Sequence, residues 1–406
     1  MREQSPATDP RPAHVGHPPS AWSGPALALG IATIGWNFGL GLTHIVLPLY
    51  AAHIGLDPLR IGTVLGVPVL LQLLLGLFGG AAADHWGGRN ILMQAALTLA
   101  LGGVACIFAR DFWGLLAAQL FLTYSRGVFW PASQSIAAAL PGERAVNLGR
   151  LNTLTSLGQI SGTALAGVLV MGFGYGGTFA VFAGIAGIAL LAAACLPKVA
   201  RPAGHGAALG AHFGPLFRRR AIWFALLTSF LCAQPVSLAQ SFFPILLRDL
   251  GFGEGAIGPL MALRPLGAAA ATLLLARALG SRAGLPLAVG AGVALATLLY
   301  AAPLGAWLPT TSALIALIGV ASGMLLLYYQ LIVATAAPPE ARGSALAIGG
   351  MGWGLSHLTG PFFIGVIAQQ LGLPAAIQCW AGFTLLLALA LLPAYRWARV
   401  DTITAP

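Results

Sequence analysis

The chain has 406 residues, of which 20 are Lys or Arg and 10 Asp or Glu, 7% in all, where an ordinary soluble protein carries roughly a quarter. Hydrophobic residues reach 58% and the mean hydropathy is +0.86, which excludes a water-covered globule and a disordered chain, and the 54 glycines have no three-residue period that would make a collagen. The formal charge of +10 comes with no basic stripe interleaved with aromatics, so no nucleic-acid partner is expected; the lipid bilayer is the partner that the composition demands.

Residues 1–21 are polar and proline-rich, without the basic-then-apolar pattern of a signal peptide, and read as a disordered tail. Twelve apolar segments follow, at about 24–51, 59–83, 91–109, 112–139, 147–172, 175–196, 221–247, 255–279, 285–303, 308–335, 343–370 and 373–395. Most are long enough, at about 1.5 Å per residue, to cross a hydrocarbon layer of roughly 30 Å. The expected fold is an all-α integral membrane protein of twelve transmembrane helices. A basic linker at 198–220 separates a first six-helix bundle, 22–197, from a second, 221–396, and a short tail covers 397–406.

Basic residues in short loops stay on the cytoplasmic side. With the N-terminus inside, 15 Lys and Arg fall inside and only Arg60, Arg110 and Arg248 outside, so both termini are expected in the cytoplasm, in a bacterial inner membrane. The halves echo each other: Ile61-Gly62 and Ile257-Gly258 are 196 residues apart, and Arg144, Gly162 and Gly167 stand 198 before Arg342, Gly360 and Gly365. A duplicated, pseudo-symmetric six-helix unit follows. The cysteines, Cys106, Cys195, Cys232 and Cys379, are too dispersed for a disulfide framework or a metal site.

Between segments two and three the chain reads GGAAADHWGGRN, with Gly80, Asp84, His85, Gly87 and Arg89. Glycines allow a tight turn, and an aspartate beside a helix end can latch neighbouring helices. This loop resembles the signature of the major facilitator superfamily: Gly, three residues, Asp, Arg, any residue, Gly, Arg, then Arg or Lys. His85 stands where that family places Arg, and Gly88 replaces another common Arg. Segment five, with Gly158, Gly162 and Gly167, is similar to the family's glycine-rich antiporter motif, although Thr163 replaces its proline and Ala166 a glycine; Gly360, Pro361 and Gly365 occupy the matching place in segment eleven. These six are expected to be helix-packing positions. The resemblance covers about residues 24–395. It implies a secondary transporter working by alternating access, with a cytoplasmic latch at 80–89 and a cavity made by helices one, four, seven, eight, ten and eleven.

Arg126 and Arg264 lie deep in segments four and eight, where a guanidinium is tolerable only against a wet cavity or an acceptor. In the resembled family an arginine near the place of Arg126 is tied to proton coupling or substrate response. Asn37, Gln72, Gln119, Gln134, Gln240 and Gln330 are candidate uncharged cavity groups, and His44 and His357 the candidate proton-coupling sites. No Asp or Glu lies well within a segment, which disfavours a cationic cargo. No metal-ligand spacing, GxxxxGK or GxSxG occurs, so neither a cofactor nor an enzyme activity is expected. The leading expectation is a monomeric, proton-coupled exporter of small neutral or amphipathic compounds. The alternatives are uptake or exchange of a small organic anion through the central arginines and, outside transport, a membrane receptor or interaction protein.

Overall fold

The computed structural model describes residues 24–75, 87–197, 218–281, 283–336 and 342–398. Twelve helical spans account for them: α1 Gly24–His53, α2 Pro58–Leu75, α3 Gly88–Phe108, α4 Phe112–Ala139, α5 (144–173), α6 (175–194), α7 Arg220–Ala239, α8 Glu254–Leu279, α9 Gly284–Ala301, α10 Leu308–Ala336, α11 Arg342–Leu371 and α12 Leu373–Ala398. Between α5 and α6 the chain leaves helical geometry at Gly174, φ 65 and ψ 178. A glycine there makes the reversal at no steric cost.

The end of segment two, the tail at 1–21, most of the linker at 198–220 and most of the tail at 397–406 lie outside the described residues. Where described, the expected spans reappear within a few residues, with one difference of substance. Segment seven is not continuous: α7 stops at Ala239, Gln240 leaves helical geometry, and a short helix, Phe243–Asp249, follows. Pro235, inside α7, removes a backbone donor, and Pro244 suits the first turn of the new helix. Among the described residues, nine stretches are apolar enough to cross a membrane by composition, Val146–Ala194 counting once although it crosses twice. The other two spans, α4 and α11, are less apolar, for a reason that lies in the site below.

The helices α1–α6 pack on one another, as do α7–α12, and the two groups meet mainly where α2 faces α11 and α5 faces α8. Among the described residues the backbone approaches between the groups gather toward one end. We call the end where α1 begins the near face and the opposite end the far face. Toward the far face, a Cβ on Gly62 would strike the carbonyl oxygen of Pro361, one on Gly365 would meet that of Pro58 at 2.5 Å, and one on Gly167 would strike that of Glu254. The Tyr175 hydroxyl donates to Glu254 Oε1 at 2.7 Å, joining the end of the first group to the start of α8.

Charge is sorted between the faces by the helix ends. On the far face Asp57 and Asp111 are N-caps, accepting from the backbone N–H groups of Arg60 (2.9 Å) and Gly114 (2.8 Å), and Glu254 lies in the first turn of α8. On the near face Arg89 donates to the carbonyl of Ala194 at 2.6 Å and Arg219 to that of Ala336 at 2.9 Å, where α6 and α10 end. Carboxylates thus meet helix N-termini and guanidiniums meet helix C-termini, each favoured by the macrodipole and by unpaired backbone groups. Leu273, Leu274, Met171 and Leu386 point outward, 66–82% exposed, as a lipid-facing surface requires.

Candidate functional site

A cavity of about 290 Å3 lies between the two helix groups. Its walls follow helical spacing: Trp36, Leu40, Thr43, His44 and Leu47 on α1; Leu65, Val69 and Gln72 on α2; Gln119, Arg126 and Trp130 on α4; and Trp353, His357 and Pro361 on α11. Steps of three, four, seven and eight residues put each set on one face of its helix. Gln159 of α5 and Ser237 and Gln240, beside the break after α7, complete the lining. The polar groups carried by α4 and α11 are what lower their hydropathy. A smaller extension of about 10 Å3 shares His44, Gln159 and Gln240 with the main cavity and reaches Arg264.

Arg126 thus lines the main cavity and Arg264 the small pocket that adjoins it. Arg126 donates through Nη2 to Thr43 Oγ1 at 3.3 Å, a long contact, and its Nε has no partner; the Nε of Arg264 is likewise without one. Among the described residues no Asp or Glu lines either space. His44 lies within electrostatic range of Arg126, Arg264 and His357. The ion pairs among the described residues, Arg60–Asp57 and Arg248–Asp249, are exposed pairs near helix ends.

Rigid aromatic walls face these charges. The Trp36 ring stacks on Phe129 with centroids 3.8 Å apart, and its Nε1 donates to Ser125 Oγ at 2.7 Å; that hydroxyl donates in turn to the Ala95 carbonyl at 2.6 Å. Trp353 lies nearly parallel to His357, centroids 5.4 Å apart. His357 Nδ1 is 2.9 Å from the Trp353 carbonyl oxygen. A carbonyl can only accept, so Nδ1 carries the hydrogen and Nε2, which has no partner, presents a lone pair. Gln119 Oε1 is a second buried acceptor without a donor.

Of the residues expected in the cavity, Arg126, Gln72, Gln119, Gln240, His44 and His357 line it, and Arg264 lines its extension. Asn37, Gln134 and Gln330 do not. Asn37 is fully buried beside Gly158, and its Nδ2 donates to the Thr33 carbonyl at 2.8 Å, because it sits on the side of α1 turned to α5. Gln330 is exposed on α10, a helix that supplies no lining residue here, whereas α2 and α5, absent from the expected set, do. Reading by residue type overlooked Trp36, Thr43, Trp130, Gln159 and Trp353. The spacings Trp36–Thr43–His44 and Trp353–His357–Pro361 were the available signal.

Gly80, Asp84 and His85 of the expected latch lie outside the described residues. Gly87, at φ 85, starts α3, and Arg89 clamps the end of α6 within its own half. The six packing positions divide by partner. Gly158 and Gly162 approach the backbone of Ile34 and Phe38 on α1, and Gly360 approaches Ser237 on α7, within one half each. Gly167, Gly365 and the carbonyl of Pro361 meet the other half.

Comparison with known proteins places this architecture. The curated relatives include the multi-drug resistance efflux pump PmrA homolog of Lactococcus lactis, 28% identical over 170 residues, 40% of this chain and 41% of that protein. The aligned part is thus about two fifths of the relative's length. Among solved structures, the nucleoside transporter NupG superposes with a TM-score of 0.75 at 16% identity, over 91% of this chain and 98% of that one. A bacterial homolog of the human lysosomal transporter Spinster, in an inward-facing and unoccupied conformation, gives 0.74 at 17% identity, over 94% and 98%. The sequence model of the Major Facilitator Superfamily matches residues 26–236 and again 227–405. With twelve spans in two groups of six about a shared central cavity, and with both halves matching that model, this chain belongs to the major facilitator superfamily and is a transporter rather than an enzyme.

Proposed function

We propose that this chain is an alternating-access secondary transporter whose cargo is a small organic anion. One observation carries the reading: Arg126 lines the central cavity, Arg264 lines a small adjoining pocket that shares His44, Gln159 and Gln240 with it, and no described lining residue of either supplies a carboxylate. A lone arginine in the hydrocarbon region costs roughly 3 kcal/mol or more, and a bound anion removes that cost while the cavity holds it. A cationic cargo would add a third positive charge beside these two. At about 290 Å3 the cavity is at the lower end of the roughly 300–1,000 Å3 of small-molecule sites, which suits one or two fused rings.

In this reading the near face, with its excess of basic residues, is cytoplasmic, and the contacts at Gly62, Gly167 and Tyr175 close the outer face of an inward-facing state in a bacterial inner membrane. The cavity is complete within one chain, so a monomer suffices. Anion binding favours rocking of one six-helix group on the other, and the outer contacts break as the near face closes. A second reading, proton-coupled export of neutral or amphipathic compounds with His44 or His357 carrying the proton, draws support from the similarity to the Lactococcus efflux pump.

The two readings part in a binding measurement. Trp36, Trp130 and Trp353 line the cavity, so tryptophan fluorescence reports its occupation. Naphthoate, naphthamide and naphthylmethylammonium have similar shapes and differ in charge. Anion selection predicts that naphthoate binds at least about tenfold more tightly than the amide and that the ammonium does not compete. An amide or ammonium that binds as tightly as the acid overturns the proposal.

A further inference from the structure

Two lining residues carry a buried acceptor atom without a donor, Gln119 on α4 and His357 on α11. On α11 the lining sequence is Trp353–His357–Pro361, each residue one turn after the last. The Trp353 carbonyl holds Nδ1–H of His357, which leaves Nε2 as an acceptor with no partner. His357 therefore sets an unpartnered ring nitrogen at the wall of a cavity whose charged groups can only donate. Pro361 has no N–H, so the helix supplies no donor to the carbonyl four residues earlier, which is that of His357 itself. Pro48 does the same to the carbonyl of His44 on α1. Trp353, nearly parallel to the imidazole, fixes the ring plane. The charge of Arg126 and Arg264 reaches His357 from α4 and α8, so a neutral donor belongs beside it rather than an ammonium.

We infer that the cargo is an aromatic carboxylate bearing a neutral hydrogen-bond donor, a hydroxyl or an amide N–H, and that His357 is the residue that reads this donor. The inference rests on the anion reading and adds a second recognition group to it. The carboxylate lies toward the guanidiniums, the ring against the tryptophan walls, and the hydroxyl or N–H toward His357 Nε2. Three features of one molecule are thereby recognised by three chemically different parts of the cavity. A substrate lacking the donor leaves a buried acceptor unsatisfied, which is how a polar site rejects an otherwise similar ligand.

Two probes test it on the purified full chain by tryptophan fluorescence: naphthoate, and hydroxynaphthoate with the hydroxyl on the ring distal to the carboxylate. The expected result is that the hydroxylated acid binds about tenfold more tightly. This preference falls to near unity in His357→Leu and is partly restored in His357→Gln, whose side-chain oxygen can accept. Arg126→Gln weakens both acids by a similar factor and leaves their ratio alone. Failure of both acids to bind the wild-type chain defeats the anion reading. Binding of both with equal affinity, or a preference that survives His357→Leu, defeats the inference and leaves the anion reading standing. Should His357→Leu fail to fold, His357→Gln and a methoxy analogue, which accepts but cannot donate, decide the matter: the methoxy acid must lose the advantage of the hydroxyl.

Discussion

Arg126 and Arg264 reach adjoining spaces from different halves of the chain, and neither has an acid among the described lining residues. An anion bridging them would hold the halves together from the middle, a contact available only when cargo is bound. If Arg126 provides charge and fork geometry together, Arg126→Gln should weaken naphthoate binding about tenfold or more, and Arg126→Lys should recover only part, because a point charge lacks the guanidinium's paired donors. Titration of the two variants checks this; equal binding by the wild type and the glutamine variant would remove Arg126 from the site. The arginines stand out in the sequence because a permanent charge deep in an apolar run has few explanations. Asn37 and Gln330 show where such reasoning ends. A neutral amide can donate to its own helix, as Asn37 Nδ2 does to the Thr33 carbonyl, so residue type alone does not tell which side of the helix it occupies. The tryptophans went unnoticed for the opposite reason: in a bilayer protein an aromatic is usually packing or lipid-facing, and only its spacing from a polar neighbour marks it as lining.

Close approach governs the helices. Gly158, Gly162 and Gly167 share one helix, α5, yet the first two meet α1 and the third meets α8 across the central boundary. Substitution should separate the two uses. In Gly162→Val the new side chain meets the Phe38 backbone inside one half, and overpacking of that kind costs about 1–3 kcal/mol, to be seen as a lower melting temperature. Gly167→Val meets the backbone at Glu254 instead, so it should pry the far face apart and leave each half intact. Tyr175→Phe, which removes the 2.7 Å bond to Glu254, should move the population the same way by a smaller amount. Distances between spin labels at the far-face ends of α5 and α8 report the opening. Unchanged distances in Gly167→Val, or a fall in melting temperature as large as that of Gly162→Val, would contradict the division. The twelve spans were legible from hydropathy because a bilayer demands about twenty apolar residues per helix. The break after α7 was not, since Gln240–Phe242 interrupts an apolar run without lowering its hydropathy enough to mark a loop.

At the scale of the whole molecule, two six-helix groups meet on one face and enclose a cavity near the middle, the arrangement required if a site is to be reached alternately from either side. The duplication was visible in the offsets of 196 and 198 residues, but the chemistry is not duplicated: Arg126, His357 and the break after α7 have no matching partner in the other half. In the proposed account symmetry serves the motion, and its local violation serves selectivity. Transport of an organic anion is the central claim, and exchange across a sealed membrane tests it most directly. Liposomes containing the purified chain are loaded with unlabelled naphthoate and diluted into a trace of the labelled acid. The account predicts a transient overshoot of labelled naphthoate, lost when Arg126 and Arg264 are both replaced by glutamine. An overshoot with a neutral or cationic amphipath and none with the acid would contradict it.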